Sequence, residues 1–330
     1  MLMMKIEPGY LHLYHSGTLH ERAEALCSFY SACRVCPRNC GIDRLAGELG
    51  GCHSGAQAAV ASYTVHKGEE PPISGTNGSG TIFFANCNLR CVYCQNHQIS
   101  QLRRGAEALR VSAQKLAGMM LELQRQNCHN INFVSPTHFV PSMIEALELA
   151  IEGGLHIPLV YNSNGYDSVE VLRLLEGIID IYLPDLKYAD ERTGRRLSKV
   201  ANYPEVARAA ILEMHRQVGH LTCDEHGIAQ RGLLIRHLVL PEELSRSLES
   251  LRWIRQHLSE DVYLSVMAQY YPANKAEEIP PLHRKLRFRE YEKVTDALED
   301  LHLLNGWVQS HEDAPDYYRP DFDNAKPFEE

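Results

Sequence analysis

Three cysteines lie close together in the stretch NCNLRCVYCQN at residues 86–96, with the spacing C-x3-C-x2-C at Cys87, Cys91 and Cys94. Thiolate sulfur is a soft ligand that suits iron–sulfur clusters, Zn²⁺ and Cu(I). A structural zinc site or a storage-type cluster takes four protein ligands, so three thiolates leave one metal position open. Three thiolates on one loop can hold three irons of a [4Fe–4S] cluster while a small molecule binds the fourth.

The alternative for the same thiols is a zinc site that borrows a fourth ligand, for example His66 or His97. The spacing, the position of the loop in the chain and the adjacent aromatic residue Tyr93 favour the cluster. An open iron on a low-potential cluster can bind a small molecule and pass one electron to it.

A second group of four cysteines follows the pattern C-x2-C-x3-C-x11-C between residues 33 and 52. Four thiolates are enough to close a metal site, and the intervening glycines permit tight turns. Zinc and an auxiliary [4Fe–4S] cluster both accept four sulfurs, and electron relay to the first cysteine group would favour iron. The other interpretation is four unrelated thiols. The members of this group are Cys33, Cys36, Cys40 and Cys52.

From residue 81 onward, short apolar runs alternate with amphipathic stretches of helical period. Runs that are apolar throughout are typical of strands covered on both faces. Their alternation with helical patterns predicts an α/β fold with a parallel sheet, either doubly wound or curled into a partial barrel. The six runs are TIFFA (81–85), INFVS (131–135), PLVYN (158–162), IDIYLPDLK (179–187), LLIRHLVL (233–240) and VYLSVMAQYY (262–271).

Polar residues cluster where these runs end. In both architectures the catalytic groups lie at the carboxyl ends of the parallel strands, so we expect these polar side chains to meet. In chain order they are Cys87, Ser135, Thr137 and His138, residues 162–164, Asp185 and Lys187, and residues 269–271.

The composition is that of an ordinary globular chain, with 44% hydrophobic and 23% charged residues. A formal net charge of -9 argues against a nucleic-acid binder, because the basic face of such a protein would normally appear as an excess of Lys and Arg in the charge balance. There is no signal-peptide pattern and no run of eighteen apolar residues, so we expect no membrane span and a cytoplasmic location. In that reducing compartment, metal or catalytic roles are commoner for cysteine than structural disulfides.

Three segments are expected along the chain. Residues 1–80 form a Cys-rich module and a loop, residues 81–305 form the α/β unit, and residues 306–330 form an acidic, poorly ordered tail. The loop before residue 80 carries Glu69 and Glu70 in the stretch GEEPPISG. We interpret it as an exposed acidic loop, with covering of the active site as the alternative.

The cysteine-rich stretch resembles the radical SAM superfamily, and the surrounding motifs resemble its PflX-type branch, related to pyruvate formate-lyase activating enzyme. The motifs are GEEPPISG, SGTIFF, NCNLRCVYCQN, HNINFVSPTHFVP, YNSNGY, DIYLPDLKY, RQVG and RGLLIRHLVLP, and the resemblance runs from about residue 33 to about residue 304. It implies a partial (β/α)6 barrel with an N-terminal Cys-rich metal-binding extension. It also implies a [4Fe–4S] cluster at Cys87, Cys91 and Cys94 whose open iron binds S-adenosylmethionine (SAM).

The activity implied by the resemblance is reductive cleavage of SAM to methionine and a 5′-deoxyadenosyl radical that abstracts hydrogen. The electron comes from a donor such as flavodoxin or ferredoxin, and the implied substrate is a glycyl radical enzyme. By the same resemblance, Tyr93 lies near the adenine, while Ser135 and Thr137 hydrogen-bond the methionyl group. Many relatives carry Gly-Gly-Glu at the latter position, so this chain lacks the glutamate charge there.

Further roles follow from the resemblance for residues at later strand ends. Asn162 and Asn164 are similar to the ribose-contacting position, Asp185 and Lys187 resemble the Asp-x-Lys motif of activating enzymes, and Arg236 resembles the arginine that opposes the SAM carboxylate. Simpler interpretations are a turn at Asn164-Gly165, a surface pair at Asp185 and Lys187, and a structural role for His138. Residues 269–271 read Gln-Tyr-Tyr where activating enzymes tend to carry Pro-Tyr-His.

Three functions remain open from the sequence. The leading hypothesis is a radical SAM enzyme similar to glycyl-radical-enzyme activases. The second is a radical SAM enzyme that acts on a small molecule or on another protein or peptide, since the departures at residues 135–138 and 269–271 concern the mouth of the site. The third is a non-enzymatic scaffold in which both cysteine groups bind zinc.

Overall fold

The computed structural model describes residues 7–102, 106–311, 320–322 and 327–328. The nine strands in this part of the chain join in one sheet. The strands are β1 (Val60–His66), β2 (Ser79–Phe84), β3 (Ile131–Val134), β4 (Leu159–Ser163), β5 (Ile181–Pro184), β6 (Thr222–Cys223), β7 (Ala229–Leu238), β8 (Tyr263–Met267) and β9 (Gly306–Val308).

The sheet order is β1-β2-β3-β4-β5-β7-β8-β9, with β6 paired to the side of β7. All neighbours from β2 to β9 along this path are parallel, whereas β1 and β6 are antiparallel to their partners. The six predicted runs are β2, β3, β4, β5, β7 and β8, and they lie side by side in chain order. The predicted fold class, a partial barrel built from βα units, is therefore confirmed.

The helices lie between the strands in sequence. They are α1 (Gly9–His15), α2 (Thr18–Ser28), α3 (Pro71–Ser74), α4 (His97–Ser100), α5 (Ala113–Arg125), α6 (Val140–Glu152), α7 (Val169–Leu174), α8 (Glu191–Thr193), α9 (Tyr203–Val218), α10 (Ser247–His257) and α11 (Phe288–Asp300). Local chemistry explains several starts: the Ser112 side chain accepts a hydrogen bond from the Lys115 amide before α5, and α6 and α9 have proline in their first turn. In the described residues no helix is long and apolar enough to span a membrane.

The Cys-rich region packs directly on the barrel. The Tyr10 hydroxyl donates to the Ile157 carbonyl at 2.9 Å, and the Gly9 amide donates to the Asp180 carboxylate at 3.1 Å. Helix α2 packs against α6, and β1, which precedes residue 80, is an edge strand of the sheet. The segment boundary that we placed after residue 80 falls inside β2, because that strand begins at Ser79.

The boundary before residue 306 also moves. Residues 306–308 form β9, which pairs with β8, so these three residues belong to the sheet and not to a poorly ordered tail. Further on, the rings of Phe322 and Phe328 pack 5.2 and 5.5 Å from the ring of Phe83. The tail prediction otherwise falls largely on residues 312–319, 323–326 and 329–330, which lie outside the described residues.

Candidate functional site

The three-cysteine loop leaves the carboxyl end of β2, as the sequence predicted. The Cys87 sulfur accepts hydrogen bonds from the Leu89 amide at 3.4 Å and the Asn164 side-chain amide at 3.2 Å. The other two sulfurs each contact a serine hydroxyl: Cys91 meets Ser198 at 2.9 Å, and Cys94 meets Ser100 at 3.1 Å. Amide and hydroxyl groups therefore surround all three sulfurs.

The three thiols share one positive neighbour, Lys187. Burial raises the pKa of each thiol, that of Cys94 to about 12, and the charge of Lys187 opposes this shift at all three sulfurs. The thiols also raise the pKa of one another, because they lie near each other on one loop. Such an arrangement suits thiolate ligands, because the lysine offsets their negative charge.

Tyr93 is buried behind the loop. Its hydroxyl lies 2.6 Å from the hydroxyl of Tyr188, and its ring centroid lies 6.0 Å from that of Tyr270. Burial raises the pKa of Tyr93 well above its usual value, so the phenol stays protonated. The described contacts of Tyr93 are thus with other tyrosines beside the cysteine loop.

Lys187 begins a chain of charged side chains that runs across the barrel interior. Its amine lies 2.6 Å from Asp185, and Asp185 in turn accepts a hydrogen bond from Arg236 at 3.2 Å. Although burial alone raises the pKa of Asp185, its two cationic neighbours hold it below the usual value. The guanidinium of Arg236 also donates to Asn162 at 2.5 Å and contacts Glu69 at 3.3 Å. The structure thus brings together four residues that the sequence predicted.

Glu69 and Glu70 were not predicted as part of this interior, and the expectation of an exposed acidic loop is wrong. Glu69 accepts a hydrogen bond from the Asn132 amide at 3.1 Å, and Glu70 is buried within reach of Ser265. Burial raises the pKa of both carboxyl groups. The loop is anchored by Ile73, which packs among apolar side chains inside the barrel. The pair Glu69-Glu70 before two prolines was the signal in the sequence. Only the fold shows that these side chains point into the barrel.

Ser135 and Thr137 follow β3 but have different surroundings. Ser135 adopts a left-handed backbone conformation, with φ of 56°, which is uncommon for a residue other than glycine and marks a constrained strand end. The buried Thr137 hydroxyl donates to Asp167 at 2.7 Å, and Asp167 also accepts hydrogen bonds from Tyr161 and Ser163. Asp167 is a buried carboxylate that our sequence reasoning missed.

Asn164 lies at the cysteine loop. Its side-chain amide donates to Asn88 at 2.7 Å and to the sulfur of Cys87. The following Gly165 has φ of +77°, and a Cβ atom there would meet the Asp185 carbonyl oxygen at 2.3 Å. The Asn-Gly pair is therefore a turn whose asparagine contacts the cysteine loop.

The four cysteines of the N-terminal group line one small cavity together with His138, Arg38 and Arg44. The Cys36 thiol faces the other three members of the group, and burial raises its pKa to about 12. In the described part of the chain, no three Cys, His, Asp or Glu side chains are drawn together tightly enough to hold one metal ion. The group is nevertheless gathered by the fold and not scattered.

Comparison with known proteins identifies the family. The model of the radical SAM superfamily matches residues 81–227, the region that holds most of β2, the three-cysteine loop and the strands from β3 to β6. The chain belongs to the radical SAM superfamily. Its proteins typically use a [4Fe–4S] cluster and SAM, and membership makes this chain a radical SAM enzyme.

Two relatives from Methanocaldococcus jannaschii are similar to the chain. Uncharacterized protein MJ0674 is 32% identical over 289 residues, which cover 86% of this chain and 78% of that protein. Uncharacterized protein MJ0808 is 26% identical over 159 residues, or 43% of this chain and 46% of that protein. Neither name assigns a substrate.

Proposed function

We propose that this radical SAM enzyme reductively cleaves SAM at a [4Fe–4S] cluster bound by Cys87, Cys91 and Cys94. The observation that supports this most directly is that one loop after β2 carries three buried or half-buried thiols, each in hydrogen-bond contact with an amide or hydroxyl group and each within the field of the Lys187 charge. The residues present fit such a group, because their donor set is three soft sulfurs. When bound, the cluster supplies the electron that splits SAM into methionine and a 5′-deoxyadenosyl radical.

The residues of the chain bind and orient SAM next to the loop. Arg236 presents a guanidinium suited to two-point binding of the methionyl carboxylate, and Asp185 with Lys187 offers one charge of each sign to the zwitterion. These groups also pair with each other and with Glu69. SAM therefore exchanges internal ion pairs for pairs to its own charged groups, at little cost in buried charge.

The other predicted residues support the same position. Asn162 and Asn164 offer amide groups to the ribose, and Tyr93 supplies an apolar aromatic neighbour for the adenine. Ser135 lies at the strand end where the methionyl group binds, and Thr137 helps to hold that strand end through its hydrogen bond to Asp167. Buried walls on this side of the sheet exclude water, which protects a reactive radical.

We further propose that the radical is delivered to another protein, as in the activating enzymes that the motifs resemble. A redox protein such as a flavodoxin or ferredoxin is the proposed electron donor. A small molecule or a different peptide is the second candidate substrate. It is favoured by the mouth of the site, where Gln95 donates to the Gln269 carbonyl at 3.0 Å in the segment that departs from Pro-Tyr-His.

The proposal is tested by measuring 5′-deoxyadenosine. The full chain is loaded anaerobically with iron and sulfide and given SAM and dithionite, beside a Cys91→Ala variant and a Cys223→Ala control outside both cysteine groups. We expect product from the wild type and from Cys223→Ala, and only background from Cys91→Ala. Equal product from Cys91→Ala would refute the assignment.

Substrate class is tested separately with active enzyme. A glycyl radical detected by electron paramagnetic resonance on a co-purifying partner supports the activase function. Deoxyadenosine formation that is stimulated by a small molecule, with no radical on any protein, favours the second candidate.

A further inference from the structure

The N-terminal cavity has a wall that does not come from the cysteine module. Its lining includes His138, which lies in the turn after β3, about a hundred positions along the chain from the four thiols. His138 is buried, with a relative exposure of 1%. The barrel therefore contributes one imidazole to a pocket whose other soft ligands are Cys33, Cys36, Cys40 and Cys52.

The hydrogen bonds of His138 determine which ring nitrogen is available. Its Nε2 atom lies 3.0 Å from the Ala85 carbonyl oxygen. A carbonyl can only accept, so Nε2 carries the proton and Nδ1 presents a lone pair. Nδ1 is fully buried and has no hydrogen-bond partner among the described residues. A buried nitrogen without a partner is costly, which points to a ligand that the cavity normally holds.

The neighbouring groups hold the imidazole in place. Arg44, itself buried, donates to the backbone carbonyl of His138 at 2.7 Å and to the carbonyl of Gly55, while its guanidinium stacks 4.2 Å above the Tyr30 ring. A metal-ligating histidine usually donates its second ring N–H to a carbonyl or carboxylate, and the Ala85 carbonyl serves that purpose here.

We propose that this cavity binds one thiophilic metal ion with four ligands, Nδ1 of His138 and three of the four surrounding thiols. A thiolate that binds metal cannot donate a hydrogen bond to Nδ1, so coordination to the same metal satisfies that nitrogen. The cavity measures about 10 Å³, which suits one water-sized occupant and not a four-iron cube.

The site is joined to the loop of the other cysteine group. Three hydrogen bonds run between the two: Arg38 donates to the Asn88 carbonyl, Asn86 donates to the His53 carbonyl at 3.1 Å, and Arg90 donates to the Gly51 carbonyl at 3.1 Å. Arg38 and Gly51 belong to the cysteine module, whereas Asn88 and Arg90 lie between Cys87 and Cys91. A metal at the N-terminal site therefore also stabilises the geometry of the three-cysteine loop.

The experiment uses the full chain with Cys87, Cys91 and Cys94 replaced by serine, so that bound metal reports only on the N-terminal site and no SAM chemistry is involved. Zinc content and zinc affinity are measured by elemental analysis and by competition with a chromophoric chelator. X-ray absorption on the zinc-loaded parent should show a nitrogen at about 2.0 Å beside sulfurs at about 2.3 Å. Circular dichroism confirms that each variant is folded.

We expect one zinc per chain, and at least about tenfold weaker binding in His138→Ala and His138→Gln. His237→Ala is the matched control, because His237 is equally buried but both its nitrogens have partners, so affinity should stay within about twofold of the parent. The proposal fails if the folded parent binds no zinc, if its absorption spectrum shows sulfur ligands alone, or if the site takes up four irons with sulfide.

Discussion

The ion pair between Arg236 and Glu69 gives the sharpest test of the barrel interior. The two side chains are only 18% and 8% exposed and lie 3.3 Å apart. At an effective dielectric constant of about 20, the gross attraction at this distance is about 5 kcal/mol. Removing one partner leaves the other as a buried, uncompensated charge, and such losses are about 3 to 5 kcal/mol. We therefore expect Arg236→Gln to lower the free energy of unfolding by that amount.

The coupling between the two residues is measured with a double-mutant cycle. Urea unfolding is followed for the wild type, Arg236→Gln, Glu69→Gln and the double variant, and we expect a coupling energy of at least about 1 kcal/mol. The control cycle uses Arg216 and Glu176, which lie closer together, at 2.8 Å, but are 51% and 46% exposed. Solvent screens that pair, so its coupling should stay below about 1 kcal/mol and below that of the buried pair.

The result that would refute the reasoning is additivity. If the losses from Arg236→Gln and Glu69→Gln sum to that of the double variant within about 0.5 kcal/mol, the two charges do not interact across the barrel. A larger coupling in the exposed control pair would contradict the claim that burial, and not distance, sets the strength of these contacts.

Two further predictions concern buried carboxyl groups. Asp167→Asn should lower the free energy of unfolding in urea by about 2 to 4 kcal/mol, because three buried hydroxyls lose a charged acceptor. The exposed control Asp296→Asn should change it by no more than about 0.5 kcal/mol. Similar losses in both variants would contradict this prediction. Burial raises the pKa of Asp180 to about 7, so between about pH 4 and 7 the folded state holds a proton that the unfolded state has released. The free energy of unfolding of the wild type, compared with that of Asp180→Asn, should therefore fall by about 2 to 4 kcal/mol as pH rises through that range. If the difference between the two proteins does not change with pH, Asp180 does not titrate there.

The sequence determined the elements that local patterns encode. Apolar runs predicted the six parallel strands in their correct order, and helical periodicity predicted the helices between them, because these signals need no contact outside the element. The cysteine spacing is equally local, and it indicated a metal-binding loop at the end of the first barrel strand. Membership of the radical SAM superfamily agrees with that prediction.

The predicted strand-end residues met where the topology required. Asp185, Lys187, Asn162 and Arg236 come together because the carboxyl ends of neighbouring parallel strands share one edge of the sheet. The sequence could place Asn162, Asp185 and Lys187 at strand ends, whereas Arg236 was assigned only through the family resemblance. It could not say that Arg236 would bind Asp185, Asn162 and Glu69 at once.

Contacts between distant segments were decided by the tertiary structure alone. The acidic loop looked exposed because its residues are charged, yet the fold turns Glu69 inward to an arginine 167 positions away. His138 looked like an isolated histidine, and only the packing of the cysteine module on the barrel brings its ring to four thiols. Strand β9 was missed because three residues carry too little pattern, and its partner β8 lies some forty positions earlier. Periodicity reports the surroundings of one element, whereas these contacts depend on how elements pack against each other.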